Sequence, residues 1–156
     1  MARELHTSWS DYRGALDRLL AVGGSEVLIW DPDLVALQLD APARIDALRR
    51  ILAGGGSVRV VVQDPQPLRT NHPRLLGLMT TFNHRMAVQQ SGDSLASLRD
   101  AMVLADGCHG LIRFDRENPR SKLLIAETEE LAPYCKRFED IWLEAGTPVT
   151  ATTTGL

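Results

Sequence analysis

Three observations predict an α/β fold in which a single mixed sheet is flanked by helices. The branched apolar runs 26–30 and 58–63 flank a helical segment. Strand, helix and strand within so short a stretch imply a parallel pair joined by a right-handed crossover. Three further apolar runs, 101–105, 110–114 and 123–126, follow at hairpin spacing, which makes antiparallel neighbours of them. With 156 residues, 44% of them hydrophobic, the chain suits one domain. A domain of this length buries about 70% of the surface that its unfolded chain exposes.

In order along the chain, Trp9, Tyr12, Leu16, Leu19 and Leu20 recur at helical spacing, with Ser8 or Ser10 as N-cap and Gly23-Gly24 as stop. The run 26–30, bounded by glycines before and Asp31-Pro32-Asp33 after, suits a strand buried on both faces. Pro42 opens a second helix behind Asp40 as cap. It turns Ile45, Leu48, Ile51 and Leu52 inward and Arg44, Arg49 and Arg50 largely outward, and Gly54-Gly55-Gly56 ends it. The second buried strand stops at Asp64-Pro65-Gln66-Pro67. A third helix is expected from Asn71 or His72 to near Asn83, then a strand over 86–90 and a polar loop over 91–97. Asp106-Gly107 reads as a hairpin turn. Leu131, Tyr134, Cys135, Phe138, Ile141 and Trp142 mark a closing helix whose aromatic stripe packs on the sheet. The Thr-rich end has little to bury, so the domain is placed at 1–145, with 146–156 as a flexible tail.

Seventeen basic residues against twenty acidic ones give a net charge of -3, so no global positive field gathers nucleic acid or an anionic membrane. No run approaches the roughly 18 apolar residues of a membrane span. A cytoplasmic protein without cofactor or metal is the expectation. Cys108 and Cys135 show no metal-ligand spacing, and His6, His72, His84 and His109 are scattered.

The segment Arg99-Asp100-Ala101-Met102-Val103-Leu104-Ala105-Asp106-Gly107 is an apolar strand ending in Asp-Gly. It resembles the signature strand of the phospholipase D superfamily, His-x-Lys-x-x-x-x-Asp followed by Gly. The stretch from Leu123 to Leu131, with Phe138-Glu139-Asp140-Ile141-Trp142 beyond it, resembles that superfamily's last strand and C-terminal helix. The resemblance spans about 24–145, one half of a phospholipase D-like fold, and is nearest to small bacterial domains that lack the catalytic motif.

Aligned on Asp106 and Gly107, the His position holds Arg99 and the Lys position Ala101. The family's reaction uses an imidazole to attack phosphorus and an ammonium to hold the phosphate oxygens. Active members also carry a Gly-Ser-x-Asn turn soon after the aspartate, where this chain has Arg113-Phe114-Asp115-Arg116. The resemblance thus implies a kept fold, a lost reaction and a binding or assembly role. A homodimer with an altered cleft on its two-fold axis follows from it as well.

Arg99, Arg113 and Arg116, with Arg120 nearby, are the candidates for holding an anionic small molecule or a protein partner through guanidinium forks. Asp106 reads as a backbone acceptor in the turn. A second class of function comes from the segment from Val27 to Val35, which resembles the Asp-x-Asp-x-Val motif of haloacid dehalogenase-like phosphatases. Asp31 is then the nucleophile, Asp33 the acid and base, and Mg²⁺ offsets their charge. Against it, the second strand ends at Gln63-Asp64, where that family has Ser or Thr.

Overall fold

Runs of Val, Ile and Leu too apolar to face water on either side form the centre of the sheet. The computed structural model describes residues 1–151. Strands β1 (Ala2–His6), β2 (Glu26–Asp31), β3 (Ser57–Val62), β4 (Met86–Gln90), β5 (Ala101–Ala105), β6 (His109–Asp115), β7 (Asn118–Ile125) and β8 (Thr147–Val149) make one sheet. Their order is β1-β7-β6-β5-β2-β3-β4-β8. β2, β3 and β4 run parallel, and every other neighbouring pair is antiparallel. This is the single mixed α/β sheet that the sequence predicts.

Helices α1 (Trp9–Val22), α2 (Pro42–Ala53), α3 (Gln66–Asn71) and α4 (Pro73–Thr81) cover one face. Tyr12, Leu16, Ile45, Leu48, Leu68 and Leu75 meet Val27, Ile29, Val60, Val103, Leu111 and Leu123 there. Helix α5 (Thr128–Ala145) covers the other face, where Leu131, Phe138 and Ile141 pack on Leu28, Trp30, Met102, Leu104 and Ile112. Each such side chain contributes about 1.5–3 kcal/mol when fully buried. None of the described helices is long and apolar enough to cross a membrane.

Ser8 caps α1 as expected, accepting from the Asp11 amide at 3.0 Å. Four expectations are revised. β1 was not foreseen, because its residues alternate between half-buried and exposed as an outer strand does, with no apolar stripe to announce it. The expected third helix divides at His72, where Pro73 starts α4, and the proline-rich segment before it forms α3. Asp40 does not cap α2. Its carboxylate instead accepts from the Leu75 amide at 2.9 Å and caps α4 from a distance in sequence. The segment after Gly146, expected to be a flexible tail, supplies β8, which pairs with β4 and buries Val149. The rest of that tail, 152–156, lies outside the described residues.

Candidate functional site

Strand register sets the site. His6 pairs with Ser121, Ser121 with Arg113, and Arg113 with Ala101. Met102 pairs with Trp30, so Ala101 stands level with Asp31, and Asp31 pairs with Val62. Directly opposed residues of a sheet share a face. A single row across the sheet beneath α1 therefore reads His6, Ser121, Arg113, Ala101, Asp31, Val62. It is polar in an otherwise apolar layer.

Ala101 is the gap in this row. Arg113 reaches past the strand between them to donate from Nη2 to Asp31 Oδ1 at 2.9 Å, and from Nη1 to the Tyr12 hydroxyl at 2.9 Å. Both members of the ion pair are fully buried. The guanidinium lies 5.1 Å from the Tyr12 ring centre and 5.5 Å from that of Trp9. Arg113 Nε and the Ser121 hydroxyl are buried without a hydrogen-bond partner among the described residues. Burial pushes the Asp31 carboxyl up, against the pull of Arg113 and of the Leu34 and Asp33 amides. Burial likewise drives the Tyr12 phenol far above its ordinary range, so it stays protonated.

The second oxygen of Asp31 shapes the loop that follows β2. It accepts from the Leu34 amide at 2.7 Å and from the Asp33 amide at 3.2 Å. Leu34 sits at φ 70° and Gln38 at φ 48°, left-handed conformations that disfavour side chains with a Cβ by about 1–2 kcal/mol each. The buried carboxylate offsets that strain. This loop walls a cleft of about 400 Å³ at the carboxyl ends of β2 and β6. Its other walls are Trp9 and Arg13 from α1 and Arg116 and Glu117 from the β6–β7 turn, with Arg113 beneath.

The three predicted arginines fare differently. Arg99 is exposed and forks onto Asp115 at 2.9 and 3.2 Å, with Glu117 at 3.3 Å. That contact, with the Glu117 amide, holds the Asp115 carboxyl below its usual value. Arg99 does not line the cleft. Arg113 is a buried structural cation, and Arg116 lines the cleft while donating to Gln63 Oε1 at 2.8 Å. Arg120 is exposed, its amide bonded to Asn118. Sequence reasoning missed Arg13, four residues after Trp9 and 5.7 Å from its ring centre, with Nε donating to the Ala36 carbonyl. The signal was the helical spacing of Trp9 and Arg13, which placed both on one face.

Asp106, at φ 56°, accepts from the amides of Gly24, Ser25 and Glu26 at 2.8–3.0 Å. Its partners are thus at the start of β2 rather than inside its own turn. His109 accepts from the Ala126 amide through Nδ1, and no histidine lines the cleft. Asp31 and Asp33 stand at the end of β2 as expected, with Asp33 Oδ1 accepting from the Val35 amide. Among the described residues, no three His, Cys, Asp or Glu side chains gather as a metal-binding group.

The fold of this chain is similar to that of phospholipase D family structures. The Salmonella typhimurium phospholipase D family member Nuc is similar with a TM-score of 0.64 at 10% identity, over 96% of this chain and 98% of its own. Phosphatidylserine synthase from Haemophilus influenzae Rd KW20 matches at 0.67 and 13% identity, over 97% of this chain and 40% of its own. TrmBL2, an archaeal chromatin protein with a novel mode of DNA binding, matches at 0.73 and 14%, over 96% of this chain. The chain spans 54% of TrmBL2, about half its length. At such identities the likeness shows the fold alone. Within that fold class, the chain belongs to the family described as domain of unknown function DUF7931, whose model matches residues 8–151. No curated protein matches it.

Proposed function

We propose that this phospholipase D-like domain is a non-catalytic module that binds a small anionic ligand in the cleft over β2 and β6, and that it works as a homodimer. The observation that carries this reading is the Arg113 guanidinium crossing over Ala101 to Asp31. On the resemblance, position 101 is where an active member projects its ammonium toward the phosphate. Here a methyl group stands there, and the room it leaves is crossed by a guanidinium already committed to a buried carboxylate. The companion position holds Arg99, which does not line the cleft and is bound to Asp115 and Glu117.

Retained affinity without chemistry is supported by the cleft's own residues. Arg13 and Arg116 face it without a carboxylate in ion-pair range among the described residues, and each offers a fork of N–H donors suited to oxyanions. The phosphatase alternative asks Asp31 to attack phosphorus. Its Oδ1 accepts from Arg113 and its Oδ2 from two amides, and the side chain is fully buried beneath them, away from solvent and substrate.

Titration calorimetry with inorganic phosphate tests the binding, and wild type should release heat that Arg13→Ala and Arg116→Ala each reduce. In parallel, bis-p-nitrophenyl phosphate and p-nitrophenyl phosphate should remain intact with and without Mg²⁺. Metal-independent diester cleavage would overturn the non-catalytic reading. Mg²⁺-dependent monoester cleavage abolished by Asp31→Asn would establish the phosphatase instead. A short DNA duplex belongs in the same titrations, because one structural match binds DNA.

A further inference from the structure

The cleft holds opposite charges that do not pair with each other. Among the described residues, Arg13 and Arg116 have no carboxylate within ion-pair distance, and Asp33 has no cation. Each is restrained by a local bond: Arg13 by the Ala36 carbonyl, Arg116 by Gln63 and Asp33 Oδ1 by the Val35 amide. Flexible charges on a solvated rim would lean together. Here the loop after β2 and the β6–β7 turn keep two cations and the Asp33 carboxylate apart around a common space, while the second carboxylate of the lining, Glu117, is paired with Arg99. Beneath them the fully buried Arg113 retains a donor, Nε, that no described residue engages.

We infer that the ligand is a phosphate monoester bearing a hydroxyl group, its dianion held by Arg13 and Arg116 and its hydroxyl donated to Asp33. This rests on the anion-binding reading and adds the class of molecule. Two guanidiniums match the two charges of a monoester above its second pKa, near 6. A carboxylate in the same cleft repels a bare anion and rewards a donor, so Asp33 discriminates where the arginines only attract. A cleft of about 400 Å³ also exceeds the need of a lone oxyanion, given that a water occupies about 30 Å³.

Glycerol 3-phosphate and methyl phosphate carry the same charge and differ in hydroxyls, so calorimetry with both at pH 8, beside inorganic phosphate, isolates the Asp33 contact. Wild type should bind glycerol 3-phosphate about tenfold more tightly than methyl phosphate, the effect of one hydrogen bond to a charged acceptor. Asp33→Asn keeps an oxygen for the Val35 amide but turns an N–H₂ toward the cleft. It should bring the ratio close to one without weakening methyl phosphate, whereas Arg116→Ala should weaken both esters alike. Equal affinity of wild type for the two esters, with phosphate still bound, would overturn this inference and leave the anion site standing. Binding of none of the three would overturn both.

Discussion

Arg113 interrupts Leu111-Ile112-Arg113-Phe114, and a charge in the middle of an apolar strand has two possible fates, a bent edge or a buried partner. The structure gives it the second. A buried ion pair adds little net stability, because desolvation consumes most of the Coulombic gain, yet removing one partner strands a charge. Arg113→Met should therefore destabilise the fold by about 3–5 kcal/mol, whereas adding Asp31→Asn to it should restore much of that loss. Urea unfolding of the two single variants and the double variant measures the coupling, and additive losses would show that the pair is not a unit. The sequence put Arg113 and Asp31 in separate hypotheses, one an anion site and the other a phosphatase. Only the register, which sets one small side chain between them, shows that they are a single feature.

Helix and strand ends here are repeatedly tied by side chains from distant segments. Arg50 of α2 donates to the carbonyls of Leu20 and Gly23 at the end of α1, as Asp40 accepts at the start of α4. Asp106 does the same for β2 from the β5–β6 turn. Capping residues are legible in sequence when they act locally, as Ser8 does, and illegible when the partner is 80 positions away, as Glu26 is for Asp106. Short outer strands are hard to read for a related reason. β1 has no buried stripe, and β8 contains Pro148, which removes a ladder donor and reads as loop. For Asp106, burial resists ionisation. The amides of Ser25, Glu26 and Gly24, with His109, outweigh it and hold the carboxyl below its usual value. Its stabilisation is thus complete above the unfolded value of about 3.9 and is lost as pH falls through the folded value. Asp106→Asn keeps an acceptor toward Ser25 and Glu26 but opposes the Gly24 amide with another donor, and should lower stability by about 1–2 kcal/mol at pH 7. The gap to wild type should narrow below about pH 4. A gap independent of pH would mean that the charge contributes nothing.

Across the whole molecule, the outer edges of the sheet decide how two copies can meet. The motif-bearing strand and its hairpin partner are β5 and β6, in the middle of the strand order and away from both edges. The outermost strands are β1, which carries the charged Arg3 and Glu4 side by side, and β8, whose proline removes a ladder donor. Extension of the sheet through either edge is disfavoured. The end of the sheet that holds the cleft is different, because Val35 in its wall is 50% exposed and Phe114, next to last in β6, is 44% exposed. A two-fold contact there would cover both and set the two clefts side by side. Light scattering at micromolar concentration should give twice 17.2 kDa, and Val35→Glu with Phe114→Glu should return the mass to that of one chain. A monomeric wild type would remove the homodimer from the proposal. A dimer indifferent to both substitutions would move the contact away from the cleft, so that each ligand site would have to be complete within one chain.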